Sequence, residues 1–193
     1  MAHKVRGVGE TSVHPLERHP KYVAAIGMVS LETIALEIQL AGVLARMIGI
    51  PLRIGQAIYL SPKSEHSRLD ILRNAAQSRL AVAPGKEKTE LGMQQIKALK
   101  QVTKIVRRAS DLVNRRHRVV HDEWNFSDRE KAVTRKKLDG KPGNPRVAIP
   151  LTEVGLLVTD MRKLIDDAHA LAESFREHPP FMARLKKDST KSG

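Results

Sequence analysis

The chain consists of apolar runs with helical spacing, separated by short segments rich in proline and glycine. The first run begins at Pro20, contains no further proline before residue 49, and is apolar around most of its circumference, so it predicts a long central helix. A Gly-Ile-Pro turn at 49–51 ends this helix, and a short helix over 57–60 follows. Apolar residues recurring along one side then predict a third helix over 65–82.

The fourth predicted helix has the clearest periodicity. Apolar residues recur at three- and four-residue steps from Leu91 to Val120, and we expect the helix to end near Trp124, whose ring would plug that end. The outward face of this helix carries the cations Lys97, Lys100, Lys104, Arg107, Arg108, Arg115 and Arg118. Such a face is most often simply solvated, and contact with RNA is the alternative.

A polar, turn-rich segment precedes the last helix. Turn residues and a short β-prone run predict a small hairpin over about 128–150, and a final helix opens at Thr152 and ends near His178. The chain is therefore predicted to be mainly α, a four- to five-helix bundle with an inserted β-hairpin. We divide it into a flexible N-terminal arm (1–19), a single helical domain (20–177) and a basic, disordered tail (178–193).

Composition narrows the possible functions. The chain has 193 residues and no cysteine, which excludes disulfides and thiolate chemistry. Lys and Arg total 34 against 21 Asp and Glu, and this net charge of +13 favours a polyanionic partner. Aromatic residues are only 3%, too few for an open base-stacking sheet. The N-terminus lacks the apolar core of a secretory signal, and charges interrupt the apolar region 22–60, so we predict a soluble, cytoplasmic protein without a membrane span.

The densest group of chemically useful side chains lies at the end of the fourth helix. Arg116 and His121 are separated by about 140° around the helix and roughly 7.5 Å along its axis, so they flank the apolar seam, and His117 lies near the seam itself. Arginine binds a phosphodiester through its fork and stays charged as negative charge builds on phosphorus. Histidine can move a proton to or from a ribose 2′-OH or a leaving oxygen. Attack of a 2′-OH on phosphorus needs no metal, cofactor or protein nucleophile.

The sequence RHRVVH at 116–121 resembles the motif of HEPN domains, a helical family named for higher eukaryotes and prokaryotes nucleotide-binding. That motif is an Arg, often followed by Asn, Asp or His, with a His four to six residues beyond the Arg. The longer run NRRHRVVHDEW at 114–124 is similar to the bacterial HEPN-like form, except that His117 stands where Asn is commoner. The resemblance covers about residues 20–177. It implies a helical bundle, dimerisation about the motif helix and, in many members, metal-independent endoribonuclease activity, often in toxins or phage-defence effectors.

On this hypothesis Arg116 holds the scissile phosphate, His121 is the general acid or base, and His117 assists or orients. Equivalent residues from two subunits of a homodimer would face one cleft, and an antitoxin protein is a possible further partner. Flanking phosphates are assigned to the basic residues Lys104, Arg108, Arg115 and Arg118. The acids expected to orient the site are Glu32 and Asp122.

Several alternatives remain open. Arg116 and His121 would serve only the fold if they paired with Asp122, Glu123 or an acid of the first helix. His117 and His121 have a metal-pair spacing, but a neighbouring cation opposes metal binding, so we predict no metal. Some HEPN-like proteins bind nucleotides or RNA without cutting them. A non-catalytic binding module or a structural partner protein is therefore the alternative function.

Overall fold

A computed structural model describes residues 18–121 and 150–177, together with the backbone of three short strands between them. The helices are α1 (Pro20–Ile48), α2 (Leu52–Leu60), α3 (Glu65–Leu80), α4 (Glu90–His121) and α5 (Leu151–Glu177). The strands are β1 (Glu123–Ser127), β2 (Ala132–Lys136) and β3 (Val147–Ala148). The prediction of a mainly helical bundle is confirmed.

Local sequence explains most helix ends. Pro20 occupies the first position of α1, where its missing N–H costs nothing, and Gly49 ends the helix with a φ of 75° and an N–H donated to the carbonyl of Ala45. The helix α2 starts at Leu52, earlier than predicted, because the chain turns back into a helix directly after Pro51. The helix α4 ends at His121, earlier than predicted, because the backbone is extended from Glu123 onward.

The helix α1 forms the centre of the bundle. It packs most extensively against α5, and it also contacts α2, α3 and α4. Its buried side chains include Leu36, Leu40, Val43, Leu44 and Met47, which meet apolar residues of the other helices in one continuous core. Burial of such side chains is the main stabilising contribution in a chain without disulfides.

By length and composition α1 is also apolar enough to cross a membrane. The core helix of a soluble protein meets the same criterion. One face of the second half of α1 is buried among the other helices, whereas Ile34 and Ile38 remain exposed. A soluble protein is therefore consistent with the fold and remains our prediction.

The three strands pair antiparallel in the order β1-β2-β3. Glu123 is opposite Lys136 in the first pair, and Thr134 is opposite Ala148 in the second. Most of the range 128–150 lies outside the described residues, so the predicted hairpin over that range is not confirmed. Trp124 belongs to β1, three residues beyond the end of α4 at His121, and the predicted role of its ring lies outside the described side chains. Residues 1–17 of the predicted arm and the tail 178–193 also lie outside the described part of the chain.

Arg68 ties α3 to its surroundings and so positions the segment that enters that helix. Its guanidinium forms an ion pair with Glu37 of α1, and its Nε donates to the carbonyl oxygen of Pro62 at 3.0 Å. Ser64 caps α3 by accepting from the N–H of Ser67 at 3.1 Å. The segment between α2 and α3 is thereby held against α1.

Candidate functional site

A cleft of about 970 Å³ lies where α1, α3 and α4 meet. The end of α4 lines it with Val113, Asn114, 116–118 and His121, while α1 contributes Thr33, Ile34 and Glu37. The start of α3 and the segment before it contribute 63–66 and Arg68. His117 and His121 are exposed, so the end of α4 is in contact with solvent.

The cleft brings together the guanidinium and imidazole that the sequence singles out. Nη1 of Arg116 lies 3.4 Å from Nε2 of His121, within the same protomer. An arginine can only donate, so Nε2 accepts in this contact. The angle of about 140° between the two positions therefore does not separate the functional atoms, because the long arginine side chain reaches around the helix to its last residue.

Glu65 of α3 is the acid beside this pair. Its Oε1 lies 3.5 Å from the same Nη1 of Arg116, and both side chains are about four-fifths buried, with 21% and 22% of their surface exposed. Arg116 Nε is buried and, within the residues that the structure describes, has no hydrogen-bond partner. The ion pair thus engages one end of the guanidinium and leaves part of its donor capacity unused.

His117 lies next to His121 on the rim of the cleft. The ring centroids are 4.7 Å apart and the rings are tilted by 46°. This contact follows from the i, i+4 spacing, which brings two side chains onto one face of a helix. The two imidazoles and the guanidinium form one cluster within a single protomer, whereas the sequence led us to expect a cleft shared by two subunits.

Cations outnumber acids in the cleft. Its lining includes Lys63, Arg68, Arg116 and Arg118 against Glu37 and Glu65, which leaves an excess of two positive charges with the histidines neutral. Both acids are engaged by arginines, Glu37 by Arg68 and Glu65 by Arg116. A concave, cationic surface of this kind concentrates anions.

Tyr59 of α2 is almost fully buried, and it lies close enough to the acids of the cleft to be affected by their charge. Burial, together with the charge of Glu37 and more weakly Glu65, raises the pKa of the Tyr59 hydroxyl far above its usual range, although Arg68 opposes the shift. The phenol is therefore neutral at any physiological pH and does not act as a base.

The predicted phosphate-binding residues of α4 divide into two groups. Arg118 lines the cleft. Arg115 instead pairs with Asp160 of α5 at 2.7 Å, and Arg108 pairs with Asp167 of the same helix. Lys104 borders a smaller cavity of about 260 Å³ between α4 and α5, together with Arg108. These three side chains lie along α5, away from the lining of the main cleft.

The expectation that Glu32 orients Arg116 is not met. Glu32 accepts from Nε of Arg162 at 2.7 Å, because it lies on the side of α1 that faces α5. Its neighbour Thr33, and Glu37 one turn beyond, face the cleft. The place foreseen for Glu32 beside Arg116 belongs to Glu65, and Asp122 lies outside the described residues.

Within residues 18–121 and 150–177, no group of three or more acidic or histidine side chains is arranged to hold a metal ion. The pair His117 and His121 has Arg116 beside it, and a cation opposes metal binding.

Sequence reasoning missed the α3 side of the cleft. Lys63, Glu65 and His66 come from the run KSEHSR, in which the N-cap Ser64 marks the start of α3. Nothing in this run indicates that the start of α3 lies beside the end of α4. Comparison with known proteins adds no identification: no family model, curated protein or solved structure matches the chain significantly.

Proposed function

We propose that this chain is a metal-independent endoribonuclease of the HEPN type, which cleaves RNA by attack of a ribose 2′-OH on the adjacent phosphorus. The observation that carries the proposal is the contact of 3.4 Å between Arg116 and His121 in a cationic cleft open to solvent. The cleft supplies an anion site and a titratable imidazole at the same point, which are the two things that this reaction needs.

The reaction assigns one role to each side chain. Arg116 binds a non-bridging oxygen of the phosphate and stabilises the extra negative charge of the pentacoordinate transition state. His121 either takes the proton of the 2′-OH or gives a proton to the leaving 5′-oxygen. His117, whose ring centroid lies 4.7 Å from that of His121, assists it. The P–O5′ bond breaks as the O2′–P bond forms, leaving a 2′,3′-cyclic phosphate and a 5′-hydroxyl.

The test is cleavage of RNA in the presence of EDTA. We expect His121→Ala and Arg116→Ala each to slow cleavage by about a hundredfold or more. The matched controls are His169→Ala on α5 and Arg107→Ala on α4, which change exposed residues outside the cleft lining. Equal cleavage by all five proteins contradicts the proposal, as does loss of wild-type activity in EDTA.

The net charge of +13 favours a second candidate, a non-catalytic module that holds RNA or an acidic partner protein. Two results distinguish it from the nuclease. It would bind RNA with steep salt dependence but release no cleavage product, and His121→Ala would leave its affinity nearly unchanged.

We further propose that the active form is a cytoplasmic homodimer. Large apolar side chains remain exposed along one stripe of α1, formed by Val23, Leu31, Ile34 and Ile38, and Ile34 also lines the cleft. A second copy covering this stripe would bury apolar surface and enclose the reactive groups. The resemblance to toxins and phage-defence effectors extends the proposal to growth arrest relieved by an antitoxin, which expression of wild-type and His121→Ala chains would test.

A further inference from the structure

We propose that Lys63 and His66 bind a second phosphate of the RNA, next to the one held by Arg116, so that the substrate is an RNA strand and not a mononucleotide. This inference rests on the proposed function for the identity of the ligand. The site itself is defined by the α3 side of the cleft, which lies far in sequence from the Arg116 cluster.

The two side chains are available to a ligand. Both are exposed, both line the cleft, and among the residues that the structure describes neither has an acidic partner. Two of the other cations that line the cleft differ in this respect, because Arg68 is engaged by Glu37 and Arg116 by Glu65. Lys63 therefore contributes charge that no neighbouring carboxylate neutralises.

The backbone next to Lys63 is held in place before any ligand binds. Arg68 donates to the carbonyl oxygen of Pro62, the residue before Lys63, and the same guanidinium is paired with Glu37 of α1. His66 lies in the first turn of α3, whose start is capped by Ser64. Because this backbone is already ordered, Lys63 and His66 lose less conformational entropy on binding than residues of a free loop would.

Phosphates in RNA recur at every nucleotide, so a phosphate bound at Arg116 brings its neighbour into the same cleft. Arg115 and Arg108, two of the four residues that the sequence suggested for flanking phosphates, are instead paired with acids of α5. Lys63 and His66 line the α3 side of the cleft, and Arg118 lines the α4 side. The RNA strand would therefore run through the cleft between them.

The experiment measures binding of a short 2′-O-methyl RNA, which cannot be cleaved because it has no free 2′-OH. Fluorescence anisotropy over a range of NaCl concentrations compares wild type with the double variant K63A/H66A. We expect the double variant to bind about fivefold more weakly at about 0.1 M salt, and its salt slope to fall by about 0.7, the values for one lost phosphate contact on a single strand. A nucleoside 3′-monophosphate, which has only one phosphate, should bind both proteins equally.

The matched control is K163A/H169A, which removes an exposed lysine and histidine of α5 outside the cleft lining. The variant Lys63→Arg keeps the charge and should retain wild-type affinity, and thermal melting should show all variants folded. Equal RNA binding by K63A/H66A and the control, or an equal loss for the monophosphate, overturns the inference.

Cleavage of ordinary RNA, followed in parallel, separates this inference from the proposed function. If wild type cleaves RNA and K63A/H66A binds the methylated strand like the control, the inference is wrong and the nuclease stands. If nothing is cleaved but K63A/H66A loses affinity, the second phosphate site stands and the nuclease is wrong. Absence of binding by wild type overturns both.

Discussion

Glu65 controls the most important side chain of the cleft, because it shares Nη1 of Arg116 with His121. A carboxylate in this position holds the guanidinium in place, and it also competes with a phosphate for it. Substrate binding and catalysis should therefore respond in opposite directions when its charge is removed.

For Glu65→Gln we expect tighter RNA binding, by up to about fivefold, since a partly exposed ion pair is worth at most about 1 kcal/mol. The same change should lower the cleavage rate at saturating RNA by about tenfold, because Arg116 is no longer held in one orientation. Binding of a methylated RNA and single-turnover cleavage provide the two measurements. Glu90→Gln is the control, since Glu90 occupies the first turn of α4 as Glu65 does that of α3. A parallel loss of affinity and rate would contradict a positioning role.

Tyr59 gives a prediction about stability at alkaline pH. Its pKa is raised in the folded protein by burial and by Glu37, so the native state keeps the phenol proton at pH values where the unfolded chain has lost it. The stability that this provides is complete below the ordinary tyrosine pKa of about 10 and is lost as the pH rises above that value, by up to about 1.4 kcal/mol per pH unit.

The variant Tyr59→Phe has no proton to lose at this position. The difference in unfolding free energy between wild type and Tyr59→Phe should therefore shrink as the pH rises from about 10, as measured by urea denaturation at each pH. Tyr22→Phe, which changes the other tyrosine of the chain, is the control. A difference that stays constant over this range would show that Tyr59 is not the group responsible.

Between elements, the most consequential contact is the one that Arg68 makes with α1 and with the segment entering α3. Glu37 and Arg68 are each about four-fifths buried, so removal of one partner leaves a charge in a poorly hydrated place. We expect Arg68→Ala to lower the free energy of unfolding by about 2 kcal/mol, between the values for exposed and fully buried pairs.

The matched control for Arg68 is Arg73, which pairs with Asp70 within α3 and is half exposed. Arg73→Ala should cost about 0.5 kcal/mol or less. A double-mutant cycle with Glu37→Gln then isolates the energy of the tie between α1 and α3. If Arg68→Ala and Arg73→Ala destabilise the protein equally, the tie does not hold the entry to α3 in place.

The sequence predicts the individual helices but not the contacts between them. Pro20 and Gly49 define α1 through local backbone rules, and the spacing of Arg116 and His121 places both at one helix end. Which acid meets Arg116 depends instead on how α3 packs against α4, and helical periodicity does not specify that packing. Glu32 and Glu37 both interrupt the apolar pattern of α1, yet one faces α5 and the other the cleft.

At the scale of the whole molecule, charge and exposed apolar surface act against each other. A net charge of +13 makes two copies repel, whereas the α1 stripe that includes Leu31, which is 61% exposed, favours their association. Salt screens the repulsion and leaves burial of apolar surface intact. It also weakens the attraction between the cleft and a polyanion.

Self-association and RNA binding should therefore have opposite salt dependences. In analytical ultracentrifugation we expect the wild-type dimer to become tighter as salt rises, while RNA affinity falls over the same range. Leu31→Lys places a charge in the stripe and should give a monomer, whereas Met93→Lys, a matched change at an exposed apolar residue of α4, should remain dimeric. A wild-type monomer at every salt concentration contradicts the dimer. Co-sedimentation of the wild type, but not of Leu31→Lys, with lipid vesicles would instead identify a membrane surface as what covers α1.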